Sequence, residues 1–255
     1  MDILLLQTDI KWQKSEENRK HASKMIDASP QVDLIILPEM FTTGFCMSPS
    51  EVAEKSNSMT LEWMQTIAKE KNSAIAGSVA TEDTDDYYNR FYFVKPDGSF
   101  VTYDKRHLFT FAGEDQKYTA GDGRIIVEYK NVRILLQICY DLRFPVFSRN
   151  TGDYDMIIYV ANWPTSRIEA WNILLRARAI ENQCYVAGVN RTGTDPSNEY
   201  CGDTALIDFL GKPIVEAQKS KEDAICGQID IQALNDFRKK FPALNDADQF
   251  RLINR

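Results

Sequence analysis

Short apolar runs separated by amphipathic stretches mark this chain from end to end. Aliphatic and β-branched residues cluster at Asp2–Gln7, Leu34–Leu37, Ala74–Val79, Phe91–Val94, Ile134–Ile138, Met156–Val160 and Tyr185–Val189. Each run has the length and composition of a buried strand. Helical periodicity lies between several of them. Ser15–Ser29 offers Ser15 as a cap and an apolar pair at Met25 and Ile26. Leu61–Ala68 places Leu61, Met64 or Gln65, and Ala68 on one face. Arg167–Asn182 is the clearest helix, with Ile168, Trp171, Leu174, Leu175 and Ile180 at three-to-four spacing. Strands alternating with helices predict an α/β fold. Two segments read instead as antiparallel hairpins: Tyr87–Tyr103, turning at Pro96-Asp97-Gly98, and Ala205–Val215, turning at Gly211-Lys212-Pro213. Mixed sheets are therefore expected.

The pattern has a faint internal echo. Asp33-Leu-Ile-Ile-Leu-Pro-Glu-Met40 and Asp155-Met-Ile-Ile-Tyr-Val-Ala-Asn-Trp-Pro164 are both apolar strands that follow an aspartate and end in a polar residue near a proline. Two such halves suit a layered sandwich. No low-complexity linker, charge block or shift in composition divides the chain, so residues 1–255 read as a single domain.

Composition changes this picture only by exclusion. Apolar residues make up 44% and charged residues 26%, as in a globular protein with a large core. The net charge of −7 argues against a nucleic-acid partner, which would need clustered Lys and Arg. No apolar run reaches the roughly eighteen residues that a membrane span needs. The first residues lack the basic start and small-residue cleavage site of a signal peptide and read as a core strand. The five cysteines are odd in number and have no paired spacing, which suits a reducing compartment; the cytoplasm is expected. No metal or cofactor is expected either, because cysteines and histidines do not cluster and no glycine-rich phosphate loop follows a strand.

Chemistry concentrates at strand ends, where open α/β sheets place their sites. Cys139 ends the run Val132–Ile138 and opens a charged turn closed by Pro145. Alone, such a cysteine reads as inert core. Glu39 follows Leu34–Pro38 and would otherwise be a cap. Lys105 ends Phe100–Asp104 and would otherwise be a solvated lysine on a hairpin edge. Of the two histidines, His21 falls in a polar helical stretch, so a cysteine–histidine pair would have to use His107.

Taken together, Glu39, Lys105 and Cys139 make a coherent catalyst. A free thiol has a pKa of about 8.5 and needs help at neutral pH. A carboxylate can take its proton as attack proceeds. An ammonium and a backbone N–H such as that of Tyr140 can stabilise the oxyanion that follows. Acyl transfer through a thioester fits these parts. Glu114, in the loop Ala112–Gln116, is the candidate for a second carboxylate that positions water or leaving ammonia.

Leu37-Pro-Glu39, Tyr103-Asp-Lys-Arg-His-Leu-Phe109 and Ile138-Cys-Tyr-Asp-Leu-Arg-Phe-Pro145 resemble, in order and spacing, the three signatures of the carbon–nitrogen hydrolase (nitrilase) superfamily. The likeness extends through Tyr159–Pro164, Arg176–Gln183, Phe241-Pro-Ala243 and Asp246–Phe250. It implies a four-layer α-β-β-α sandwich of the nitrilase type that dimerises into an eight-layered assembly. It implies Glu39 as general base, Lys105 as the oxyanion-stabilising lysine, Cys139 as nucleophile and Glu114 as an additional glutamate. Within the superfamily the chain is most similar to the bacterial omega-amidase branch, which hydrolyses the terminal amide of 2-oxo acid monoamides such as 2-oxoglutaramate and 2-oxosuccinamate.

Such substrates carry a carboxylate away from the scissile amide, and Arg binds carboxylate through two hydrogen bonds. Arg143 is the nearest candidate, with an ion pair to Asp141 as its alternative. Trp163 and Phe109 are candidates for an apolar slot along the substrate's methylenes, though aromatics there also serve as core. N-carbamoyl amino acids, aliphatic amides, nitriles and amidated glutathione remain as other substrates for the same triad. A non-catalytic binding protein remains a reading from another class. A redox protein is disfavoured for want of a resolving cysteine.

Overall fold

The computed structural model describes residues 1–252, and its elements follow the apolar pattern closely. The first half contains β1 (Asp2–Gln7), α1 (Ser15–Asp27), β2 (Leu34–Ile36), α2 (Pro49–Val52), β3 (Glu54–Lys55), α3 (Met59–Lys71), β4 (Ala74–Asp83), β5 (Asp86–Val94) and β6 (Phe100–Asp104). The second half contains β7 (Ile126–Tyr129), β8 (Val132–Ile138), α4 (Pro145–Ser148), β9 (Met156–Ala161), α5 (Ile168–Asn182) and β10 (Tyr185–Asn190). It continues with β11 (Thr192–Thr194), β12 (Glu199–Cys201), β13 (Ala205–Ile207), β14 (Pro213–Glu216), β15 (Asp223–Gln228) and α6 (Ile231–Lys240).

Two mixed sheets result. One has the order β15-β1-β2-β4-β5-β6, with β3 beside β4; the other runs β14-β13-β10-β9-β8-β7. Strand alternation then dictates the layers, because successive side chains point to opposite faces. Ile3 and Leu5 of β1 pack between the sheets against Ile134, Leu136 and Ile138 of β8. Leu4 and Leu6 face the other way, onto Ala22 and Ile26 of α1 and Leu61 and Met64 of α3. Leu135 of β8 faces Trp171 and Leu175 of α5. Three apolar interfaces separate four layers, and the architecture is the expected α-β-β-α sandwich. No helix among the described residues is long and apolar enough to cross a membrane.

Several local expectations change. Ser15 is the first helical residue of α1 and not its cap; Lys14 takes the cap position and supplies no side-chain bond. The entry to α1 is fixed instead by Asn18, whose side chain accepts from the Lys11 amide and donates to the Lys11 and Thr42 carbonyls. On α5, Ile180 faces outward and is 56% exposed, because Arg178 and Ala179 occupy the sheet-facing stripe. The strand at Phe91–Val94 extends back to Asp86 and forms a second hairpin with β4. Its turn is Thr84-Asp85, both with positive φ (47° and 69°) as a tight two-residue hairpin turn requires.

The internal echo is physical. Asp33 precedes β2 and its carboxylate accepts from the Asp2 amide where β1 begins, at 2.8 Å. Asp155 precedes β9 and accepts from the Arg133 amide beside the start of β8, at 3.1 Å. Each aspartate thus ties the start of its strand to the neighbouring strand.

Asp155 does more, because it also receives the guanidinium of Arg133 at 2.7 Å and that of Arg238 of α6 at 2.8 Å. Burial pushes its carboxyl up, but the hydrogen bonds from Arg133 and Arg238 outweigh this and hold it below its ordinary value of 3.8. A lowered folded-state pKa contributes stability that is present above the unfolded value and lost as pH falls through the folded one. Asp155→Asn is therefore expected to lower unfolding free energy at pH 7 by about 2 kcal/mol, the scale of charge-assisted hydrogen bonds. In denaturant titrations the difference from wild type should shrink below pH 3.8, where wild type loses the same charge. A difference that stays constant through that range would rule out the ionic account.

Candidate active site

The strand directions bring the chemistry to one end of the sandwich. β2 and β4 are parallel, and two antiparallel steps through β5 make β6 parallel to both. In the other sheet β8, β9 and β10 run parallel. Glu39 lies just past β2, Lys105 just past β6, Cys139 just past β8 and Asn162 just past β9. Together they line a cavity of about 250 Å³. Phe109, Tyr140, Arg143 and Trp163 line it too, as do Phe45, Phe111, Arg167, Ser197, Asn198 and Tyr200. The volume is below the range of about 300–1,000 Å³ typical for drug-sized ligands, and small substrates fit it best.

Glu39 and Lys105 are both fully buried, which removes the cap and surface-lysine alternatives. The Lys105 ammonium donates to Glu39 Oε1 at 3.0 Å and to Glu114 Oε2 at 2.9 Å. Burial opposes its charge, yet Glu114 and Glu39 outweigh burial and hold the ammonium well above its ordinary range. Each carboxylate is then fixed separately. Glu39 Oε2 accepts from the Asn162 amide at 2.7 Å, and Oε1 accepts from the Asn89 side chain at 2.7 Å. Glu114 Oε2 accepts from the Phe109 amide at 2.6 Å.

Glu114 is fully buried and is not among the residues that line the cavity. Its carboxylate holds the Lys105 ammonium and the amide of the Phe109 loop. Gly121 matters here as well. Its amide donates to the Lys105 carbonyl at 3.0 Å, and an added Cβ would lie 2.1 Å from the Asp104 carbonyl oxygen.

Cys139 sits on a sharp turn after β8 with φ of +44°, a left-handed conformation that costs a non-glycine residue energy. Asp141, two residues on, holds this turn. Its carboxylate accepts from the Ile138 amide at 2.9 Å, the Tyr103 hydroxyl at 2.7 Å and the His107 amide at 3.0 Å. The His107 ring also reaches Asp141 at 2.8 Å and stacks on Phe144, so it supports the turn and is no partner for the thiol. With Asp141 so occupied, Arg143 does not pair with it. The Arg143 guanidinium lies 4.9 Å from the centre of the Trp163 ring and has no acidic partner among the described residues.

Burial pushes the Cys139 thiol well up, and the negative charge of Glu39 adds to this against the opposing pull of Lys105. These effects favour the protonated thiol over a preformed thiolate. A thiol beside a fixed carboxylate, an ammonium and the start of a turn can attack a carbonyl while passing its proton to the carboxylate.

The model of the carbon–nitrogen hydrolase family matches residues 4–239. The chain is a carbon–nitrogen hydrolase. It is 45% identical over 253 residues to omega-amidase YafV of Escherichia coli K12, covering 99% of this chain and 98% of that one. It is 35% identical over 250 residues to the 2-oxoglutaramate amidase of Bacillus subtilis, covering 96% of each. Among solved structures, a CN-hydrolase superfamily protein from Xanthomonas campestris with an arsenic adduct in its active site superposes with a TM-score of 0.95. That protein is 44% identical, with 99% of this chain and 98% of that chain covered.

Two asparagines of the hydrolase's site carry no motif of their own, one inside β5 and one closing β10. Asn89 lies inside β5, its Oδ1 accepting from Ser78 at 2.8 Å while its amide group holds Glu39. A lone asparagine in an otherwise aromatic strand is the available signal, since asparagine is depleted in strands. Asn190 brackets Trp163, accepting from its amide at 2.8 Å and donating to its carbonyl at 2.9 Å.

The raised thiol sets a test in solution. Alkylation of Cys139 by iodoacetamide, followed by peptide mass spectrometry, should be slow at pH 7 and still climbing at pH 9. A plateau below pH 8 would mean a preformed thiolate and overturn this electrostatic reading.

Proposed function

We propose that this carbon–nitrogen hydrolase is an omega-amidase, releasing ammonia from the terminal amide of small 2-oxo acid monoamides such as 2-oxoglutaramate and 2-oxosuccinamate. The observation that carries the reading is a small cavity lined both by the Cys139 thiol and by the guanidinium of Arg143, which has no acidic partner among the described residues. The similarity to omega-amidases and 2-oxoglutaramate amidases supports the same substrate class.

In this mechanism the substrate's carboxylate pairs with Arg143, and its methylenes lie along Trp163 and Phe109. Cys139 sulfur bonds to the amide carbon while its proton passes to Glu39. The oxyanion formed is stabilised by the Lys105 ammonium and the Tyr140 backbone N–H. Glu39 returns the proton to nitrogen, the carbon–nitrogen bond breaks and ammonia leaves a thioester. Water then attacks the thioester while Glu39 takes a proton from it, and Glu39 passes that proton to sulfur as the carbon–sulfur bond breaks, giving the dicarboxylate and the free thiol. All five cysteines are unpaired, which supports action in the reducing cytoplasm.

Ammonia release from 2-oxoglutaramate tests the proposal, with an N-carbamoyl amino acid assayed in parallel. Cys139→Ala should abolish turnover, and Glu39→Gln should lower kcat by about 10²–10⁴-fold, the usual contribution of a general base. Cys139-dependent turnover of the carbamoyl compound alone would keep the triad and overturn the substrate.

A further inference from the structure

A second guanidinium reaches the same cavity. Arg167, in the turn that leads into α5, lines the cavity with Arg143. Its Cζ lies 5.2 Å from the centre of the Phe109 ring, much as Arg143 lies over Trp163. The two are also tied to one indole: Trp163 Nε1 donates to the Arg167 carbonyl oxygen at 2.8 Å. Among the described residues neither guanidinium forms an ion pair or a side-chain hydrogen bond. Other arginines of this acidic chain behave differently: Arg19 pairs with Glu54, Arg90 with Asp83 and Asp104, and Arg133 and Arg238 with Asp155. An aromatic face supports a cation without neutralising it. Two unneutralised guanidinium groups therefore meet in one small cavity, whose carboxylate, Glu39, is already engaged by Lys105.

We infer that Arg167 is a specificity-determining residue that, with Arg143, reads the 2-oxo acid head of the substrate; this rests on the omega-amidase reading above. One planar fork takes the carboxylate through two hydrogen bonds. The carbonyl oxygen at C2 lies beside that carboxylate and accepts from the second fork. An amino acid amide of the same length, such as glutamine, presents an ammonium at C2. It has no acceptor there and places a like charge against two cations, which selects against it. An amide with a bare methylene at C2 leaves the second guanidinium without its acceptor.

The test compares kcat/KM for 2-oxoglutaramate, glutaramate (the same chain without the C2 oxygen) and glutamine, by ammonia release. Wild type, Arg167→Met and Arg167→Lys are measured, with thermal midpoints to confirm folding. Wild type should favour 2-oxoglutaramate over glutaramate. Arg167→Met should reduce that ratio about 10- to 100-fold, the scale of a hydrogen bond from a charged donor, and mainly through KM. Arg167→Lys, which keeps the charge, should retain discrimination against glutamine. Should Arg167→Met lose activity equally on 2-oxoglutaramate and glutaramate, Arg167 is structural and the inference falls while the omega-amidase reading stands. A wild-type enzyme inactive on 2-oxoglutaramate but active on another amide overturns both.

Discussion

Lys105 is the pivot of this molecule. Its ammonium is fully buried, with two carboxyl groups at hydrogen-bond distance at the floor of the cavity. Taking such ions out of water costs several kcal/mol each, and only good geometry with every lone pair engaged offsets it. The surroundings supply that geometry: backbone amides from Phe109 and Asn162, and the side chain of Asn89. Those donors come from a loop, from the end of β9 and from the middle of β5, so both sheets are committed to the cluster. Burial, with the negative charge of Glu39 added to it, pushes the neighbouring Cys139 thiol up.

The nucleophile is held by a different device. Its left-handed backbone is a local cost that the Asp141 carboxylate offsets by gathering Ile138, Tyr103 and His107. Tyr103 and His107 flank Lys105 in sequence, so the turn that presents the thiol is bolted to the segment that presents the ammonium. Motif residues between the reactive ones thus have a mechanical purpose: they fix the distance between groups that arrive from separate sheets.

Much of this was legible in the sequence because the physics is local. An apolar run of five or six residues between polar turns leaves few choices, and β1, β2, β8, β9 and β10 appear where the runs lie. Glu39, Lys105 and Cys139 stood out as reactive groups at strand ends, and they do share one cavity. What stayed hidden depends on contacts distant in sequence. β15 has the mixed composition Asp-Ala-Ile-Cys-Gly-Gln and becomes a strand because β1 offers it an edge. Glu114 looked like a loop carboxylate facing solvent or substrate, and only the packed structure buries it against the Lys105 ammonium. Asn89 drew no attention because its partner lies fifty residues away. Arg167, at the start of a well-marked helix, read simply as the helix's first residue.

The hydrogen bond from the Asn162 amide to Glu39 crosses from one sheet to the other and spans 123 residues of sequence. It joins the two ends of the internal echo, so the site is a seam between halves that resemble each other in outline. Neither half holds a working set: the first carries the base and the ammonium, the second the sulfur. A chain emerging from synthesis, or one whose sheets have parted, therefore carries a thiol with no base beside it. Catalysis is created by the closing of the sandwich and lost on its opening, while the sulfur of an opened chain reverts to an ordinary thiol with a pKa of about 8.5.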